Sequence, residues 1–401
     1  MKLERIFRVK SERRSMGVSF RRRHGKKVSF LRRFQTGILR KPFGIPVGVV
    51  TLLAVAIWAS SAWAGIDGKN CSLCHTMHYS QDRRTDWAGW GADGPYPALL
   101  VNNCIGCHTG INDGTGDTPY VYSTSEPSYG DTGTEANTNT LSGGNFYWMA
   151  MGSDAVGHNV ASLNNPDDTL GTPPGFDSGR AAADGTIPGN GSWTANPITC
   201  AGTYGCHGRH DTESEVAAIR GGHHGNARGA ITAQSTGAGA SYRMLVGITG
   251  YEDSDWEYRP TAEAHNQYQG VDAPGNPDDS TISYLCAQCH GQFHGDASDI
   301  GSSSPWLRHP TDYDMGNTAV GSEYRAYAGT TGTPGVYNVI APVGSADVGA
   351  VRSSVSFADD TIVTCISCHR AHGTPHYKIM RWDYAGSSFG GSCSVCHTSK
   401  N

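Results

Sequence analysis

Only one stretch of this chain is apolar for any length. Val47 to Trp58 is a run of twelve largely apolar residues; residues 1–41 before it hold 15 Lys/Arg and two Glu, and Ala62-Trp63-Ala64 precedes Gly65 after it. A basic leader, an apolar stretch and an A-x-A site are the parts of a secretory signal. The run falls short of the ~20 residues that span a bilayer, which favours a signal over the alternative, a single membrane anchor. The expected organisation is a signal peptide over 1–64, cleaved after Ala64, and one working domain over 65–401; Met16 offers a later start to a more ordinary signal. Beyond Trp58 few apolar runs exceed four residues, and neither helical nor strand periodicity persists. Glu213 to Arg220 predicts about two helical turns stopped by Gly221 and Gly222. Thr361 to Ile366 and Tyr337 to Val343 are candidate strands. Asp113 to Gly144 is rich in Gly, Thr, Ser and Asn and reads as surface loop. Asn-Pro-Asp-Asp at 165–168 and 276–279 reads as turn or helix-cap chemistry, with a calcium site as the alternative. The fold class expected is mostly irregular chain with short helices and few short strands.

Composition sharpens this picture. The chain holds 53 Gly in 401 residues, so side-chain burial alone would struggle to offset the entropy of ordering it. Without residues 1–64, 16 basic residues face 34 acidic ones and the chain is 18 charges negative, where the whole sequence is only −5. An acidic surface argues against nucleic acid and anionic membranes as partners.

The cysteines supply the missing core. All twelve fall in pairs, with a His directly after each second Cys. Five pairs read C-x-x-C-H: Cys71/Cys74/His75, Cys104/Cys107/His108, Cys286/Cys289/His290, Cys365/Cys368/His369 and Cys393/Cys396/His397. The third in chain order is stretched to C-x5-C-H: Cys200/Cys206/His207. C-x-x-C-H marks covalent c-type haem attachment. Two thiols must reach two vinyl groups on one porphyrin edge, and the adjacent His then lies under the iron as proximal ligand. Structural disulfides need no such His, and zinc would take its further ligands from more distant residues. The cofactors expected are therefore six covalently bound haems, flat apolar bodies that can serve as the core. For the stretched motif, a disulfide or a single-thioether haem remains open.

Histidines are in surplus. Besides the six proximal residues and His24, there are ten: His78, His158, His210, His223, His224, His265, His294, His309, His372 and His376. Six irons need six distal ligands, so bis-His ligation throughout is affordable, with low potentials; Met ligation would raise them. His78, His210, His294 and His372 follow a proximal His by three or four residues. Such a ring cannot easily pass around its own porphyrin but can reach a neighbouring iron, which predicts interleaved ligation and haems in near contact. His309, between Trp306-Leu307 and Pro310, reads as fixed and partly buried. His223-His224, in a Gly-rich turn, reads as solvent-facing; His265 and His376 are spares.

The ordered landmarks resemble those of the OmcS-like extracellular hexahaem cytochromes, which polymerise into filaments. They are Cys-Ser-Leu-Cys-His-Thr-Met-His at 71–78, Gly-His-Asn-Val at 157–160, Cys-His-Gly-Arg-His at 206–210, Tyr-Arg-Met-Leu-Val-Gly-Ile-Thr-Gly-Tyr at 242–251, Cys-Ala-Gln-Cys-His-Gly-Gln-Phe-His at 286–294, Leu-Arg-His-Pro at 307–310, Cys-Ile-Ser-Cys-His-Arg-Ala-His at 365–372 and the final Cys-Ser-Val-Cys-His. The resemblance implies distal ligands at His78, His158, His210, His294, His309 and His372. It also implies that His78 ligates a haem of the next subunit, the one at Cys365/Cys368, in a homopolymer secreted to the cell surface that passes electrons from redox donors to extracellular acceptors. The stretched third motif departs from the family pattern. A discrete periplasmic or surface shuttle is the alternative; a reductase enzyme would need an open or unmatched iron, and neither Cys-x-x-Cys-Lys nor a shortage of His appears.

Overall fold

The computed structural model describes residues 70–75, 97–115, 118–130, 138–163, 170–177, 198–225, 229–231, 237–276, 278–294, 309–327, 335–384 and 392–399. The chain divides into two units, Met1–Ala59 and Ser60–Asn401, and every described residue belongs to the second. The expected signal segment 1–64, His78 and the first Asn-Pro-Asp-Asp lie outside the described residues. Among the described residues no helix is long and apolar enough to cross a membrane.

The described chain is mostly irregular, as its broken periodicity predicts. Its α-helices are short: α1 (Cys104–Cys107), α2 (Tyr147–Ala150), α3 (Glu215–Ala218) and α4 (Ile282–Cys289). Each of three has a side-chain cap on an early amide: Asn103 accepts from Gly106 N at 2.7 Å, Ser214 from Ala217 N at 3.4 Å, and Thr281 from Tyr284 N at 3.2 Å. Helix α3 lies within the expected 213–220 and ends ahead of Gly221, which is left-handed at φ 81°. Strands β1 (Thr199–Ala201) and β2 (Gly205–His207) form a small parallel pair. The other six are β3 (Gly229–Ile231), β4 (Gly250–Glu252), β5 (Gln267–Gln269), β6 (Tyr313–Asp314), β7 (Gly344–Ser345) and β8 (Ile362–Val363), in the order β3-β4-β5-β7-β8-β6. Only the β5–β7 pairing within this sheet is parallel. Strand β8 lies in the expected 361–366. Residues 337–343 are irregular and only lead into β7, because Asn338 and Ile340 turn onto side-chain partners: the Tyr327 hydroxyl accepts from Asn338 N, and Asn338 Oδ1 from Ile340 N.

Apolar burial is divided among four small clusters, the largest being Tyr242, Leu245, Ile248, Tyr268 and Ile366. Among the described residues, buried polar and charged side chains outnumber buried apolar ones. Many of them are hydrogen-bonded, as burial of a polar group demands. Buried Glu257 accepts from Asn266 N at 2.8 Å and from the Tyr268 hydroxyl at 3.0 Å, and Asn266 Oδ1 accepts from Arg243 Nη2 at 2.7 Å. The polar stretch 113–144 is not all surface loop. Thr138, Thr140 and Leu141 are buried, and Arg370 reaches in from the fifth Cys-His motif to donate to the carbonyls of Leu141 and Ser142 and to the Tyr129 hydroxyl. In the second Asn-Pro-Asp-Asp, Asp278 accepts from Ser280 N at 2.9 Å, and Thr281 then caps α4. That is turn and cap chemistry.

Candidate haem-binding histidine pairs

The five regular motifs share one local form. In each, the amide of the motif His donates to the carbonyl of the first Cys: His75 to Cys71 (2.8 Å), His108 to Cys104 (2.9 Å), His290 to Cys286 (2.9 Å), His369 to Cys365 (3.1 Å) and His397 to Cys393 (2.9 Å). One helical turn thus presents both thiols and the imidazole on one side. The stretched motif cannot close that turn. Its extra residues form the link between β1 and β2, where Gly202, left-handed at φ 89°, has no room for a side chain beside Thr212 O. Glu215 on α3 holds the first Cys by accepting from Cys200 N at 2.8 Å. Cys200 sits against Cys104 of the second motif, as Cys286 of the fourth sits against Cys365 of the fifth. The first thiol of the stretched motif therefore has the same kind of neighbour as that of a regular one.

The second cysteines sit in different surroundings. Burial pushes the thiols of Cys289, Cys368 and Cys396 up to about 12, and that of Cys206 up to about 11. In the first motif the two thiols lie in different surroundings. Cys71 is exposed, whereas Cys74 is half-buried. The structure also does not confine Cys74 to its own motif: it lies near enough to Cys107 of the second motif that its charge, after burial, helps to raise the Cys107 thiol. The physical reason is local. Cys74 closes the short turn Cys71–Leu73 by donating its N–H to Cys71 O at 3.2 Å, and its own carbonyl accepts from Val101 N at 2.9 Å. That second bond ties the first motif to the stretch that leads directly into the second.

Every motif His has its Nδ1 anchored. His75 Nδ1–H donates to Ala98 O (3.0 Å), His108 to Pro119 O (2.7 Å), His207 to Arg243 O (3.0 Å), His290 to Pro174 O (2.7 Å), His369 to Lys378 O (2.9 Å) and His397 to the Glu323 carboxylate (3.3 Å). A carbonyl only accepts, so the proton lies on Nδ1 and the lone pair on Nε2 is left for a metal. Such outer partners orient a metal-binding ring and raise its basicity. Three of the carbonyls come from residues in left-handed conformation, each followed by a second: Ala98-Leu99, Arg243-Met244 and Lys378-Ile379.

Five motif rings face a second imidazole. Ring centroids lie 6.2 Å apart for His75–His224, 6.0 Å for His108–His223, 6.3 Å for His207–His372, 6.2 Å for His290–His158 and 5.8 Å for His397–His309. Two trans imidazoles, each with a metal–nitrogen bond of about 2.0–2.1 Å and a ring centre about 1.1 Å further on, would stand about 6.2 Å apart. The spacing fits one metal ion between each pair and is too wide for direct ring stacking. Burial keeps many of these rings neutral, the state that ligates: it pushes His290 down to about 4 and His372 down to about 3, and it lowers His158, His207, His223, His309 and His369. No imidazole faces His369 among the described residues. The donor set, the paired spacing and the neutral rings fit c-type haem.

These sites can be set beside known proteins. The chain is 26% identical to the C-type cytochrome OmcS of Geobacter sulfurreducens over an alignment of length 388, which covers 84% of this chain and 84% of that protein. It resembles that cytochrome along most of its length. No family model matches the chain. Two solved structures align with it at 19% identity: the Outer Membrane Cytochrome S Filament from Geobacter sulfurreducens (TM-score 0.43, 84% of this chain and all of that one) and the cryo-EM structure of OmcS nanowires from the same organism (TM-score 0.44, 83% and 98%).

Of the distal residues expected from sequence, His158, His309 and His372 face motif rings. His210 and His294 do not. His294 is buried with its Nε2 2.9 Å from the Asp312 carboxylate, and among the described residues no motif ring faces it. His210 directs Nδ1–H to Gly202 O at 3.1 Å and, among the described residues, faces no motif ring. His223 and His224 are exposed, as their Gly-rich turn leads one to expect, yet their rings also lie opposite His108 and His75. No spacing rule relates these two residues to motifs more than 110 positions away, so only the fold brings them together. His265 is fully buried and stacked on Tyr337 at 3.7 Å, and among the described residues it faces no motif ring.

Proposed function

We propose that this chain is a secreted multihaem c-type cytochrome that moves electrons outside the cell and catalyses no reaction of its own. Six haems would be held by Cys71 and Cys74, Cys104 and Cys107, Cys200 and Cys206, Cys286 and Cys289, Cys365 and Cys368, and Cys393 and Cys396, with His75, His108, His207, His290, His369 and His397 as proximal ligands. The observation that carries the reading is the set of five facing imidazole pairs at 5.8–6.3 Å, each including a motif His. The likeness to an OmcS cytochrome supports it over most of the chain.

When bound, haem iron supplies a one-electron couple. The chain's own residues do the rest. The thiols tether each macrocycle to a motif turn. The proximal Nε2 atoms would bind the irons, with carbonyls on five Nδ1 atoms and the Glu323 carboxylate on that of His397 orienting the rings. His158, His309 and His372 would each supply a second imidazole to an iron, which would keep water and substrates off it and favour electron transfer over catalysis.

The resemblance further supports assembly into an end-to-end homopolymer in which His78 of one copy ligates the haem at Cys365 and Cys368 of the next. His369, which no imidazole of its own chain faces among the described residues, suits that arrangement. His78→Ala tests it. The assembly reading expects about one high-spin haem per chain by ferric electron paramagnetic resonance (EPR), together with loss of filaments by electron microscopy. Unchanged spectra and particles that are dispersed in wild type and variant alike would instead fit a discrete shuttle.

A further inference from the structure

We infer that the adjacent residues His223 and His224 are the distal ligands of the second and first haem irons, so that one dipeptide closes two haem sites. The inference rests on the reading of the chain as a haem protein and deepens it. Their rings face different motif rings, His223 opposite His108 at 6.0 Å and His224 opposite His75 at 6.2 Å, within the same spacing as the three pairs formed by His158, His309 and His372. His108 and His75 each hold Nδ1 against a carbonyl, so their Nε2 lone pairs are free for metal.

The turn that carries the dipeptide is built to hold it. Helix α3 ends at Ala218, Ile219 O accepts from Gly222 N at 2.7 Å, and Gly222 O accepts from Gly225 N at 3.2 Å. Gly221 is left-handed at φ 81°. A Cβ on Gly222 would stand 2.8 Å from Met244 Sδ, and one on Gly225 would collide with the backbone of Gly239. The glycines are therefore there for close approach, and the turn is not a slack linker. Met244 belongs to the segment whose Arg243 carbonyl anchors His207, so the platform for two irons is braced against the support of a third. Neighbouring Cα atoms are only about 3.8 Å apart, so ligation from both members of the dipeptide holds the first two haems close whatever the rest of the chain does.

The test is ferric EPR on fully haem-loaded protein, with the haem count fixed by intact mass. His223→Ala and His224→Ala should each convert one low-spin haem per chain to high-spin, and the double variant two. Added imidazole should restore the low-spin signal, which repair of a merely structural defect would not do. His224→Met should keep the iron six-coordinate and raise one potential, a readout that survives if the alanine variants fold poorly. His210→Ala and His294→Ala should leave the low-spin count unchanged. Six haems with unaltered spin states in both His223→Ala and His224→Ala would overturn this assignment alone. A wild-type chain without covalent haem would overturn the electron-carrier reading and this assignment with it.

Discussion

Single residues decide how firmly the rings are held and in what protonation state. Buried His265 has its Nδ1–H on Thr261 O and its face on Tyr337. Burial lowers its pKa despite the opposing pull of Glu257 and Asp253. The folded ring is thus neutral where an unfolded one, near about 6.5, takes a proton. Its contribution to stability is complete above that value and is lost as pH falls below it. His265→Phe, which keeps the stack, should flatten the fall in thermal midpoint on acidification, and an identical slope in wild type and variant would contradict this. Arg370 is the opposite case, a buried cation satisfied by two carbonyls and a tyrosine hydroxyl. Arg370→Met leaves those acceptors unmatched and should cost on the order of 3 kcal/mol in denaturant melts. The motif Cys and His were legible in the sequence because their spacing is local. The different settings of Cys71 and Cys74 were not, since the spacing treats the two thiols alike while their backbone partners, Val101 on Cys74 among them, differ. The carbonyls behind the rings were not legible either: placing Arg243-Met244 or Lys378-Ile379 in the left-handed region opposes residue preference, so only tertiary contacts select it.

At the scale of elements, the short helices and turns work as brackets for rings. Helix α3 was readable from its composition and the glycines after it, and β8 from its β-branched residues. The pairing of His75 with His224 was not, since 149 positions separate them and the intervening chain has no periodicity to follow. The polar stretch 113–144 misleads for a related reason. Thr138 and Thr140 are buried because they bond to each other, which composition does not reveal. The Gly221–Gly225 turn gives a graded prediction. Gly221→Ala meets nothing within 4 Å and carries only left-handed strain of about 1 kcal/mol. Gly225→Ala meets the Gly239 backbone and should cost at least about 2 kcal/mol. It should also shift the turn enough to disturb the low-spin signals of the first two haems, while Gly221→Ala leaves them intact. Equal effects of the two changes on stability and spectra would count against a braced platform.

At the scale of the whole molecule, the apolar clusters among the described residues hold only three to five buried residues each. The account makes the haems the common core, joined by imidazoles that cross between motifs: His372, near the fifth motif, faces His207 of the third, and His158 faces His290 of the fourth. Cys200 and Cys206 should both carry thioether bonds despite the stretched motif, so the intact mass of the secreted protein should equal the chain plus six haems. Cys200→Ser should weaken attachment at that one site and leave the others alone. One ring, His369, finds no facing imidazole among the described residues, and the account completes it from the next copy. The most direct test is the number of low-spin ferric haems per chain in the assembled protein, by quantitative EPR. The account predicts six, with no stoichiometric high-spin signal. Five low-spin haems with one high-spin, five-coordinate haem in the assembled state would contradict it.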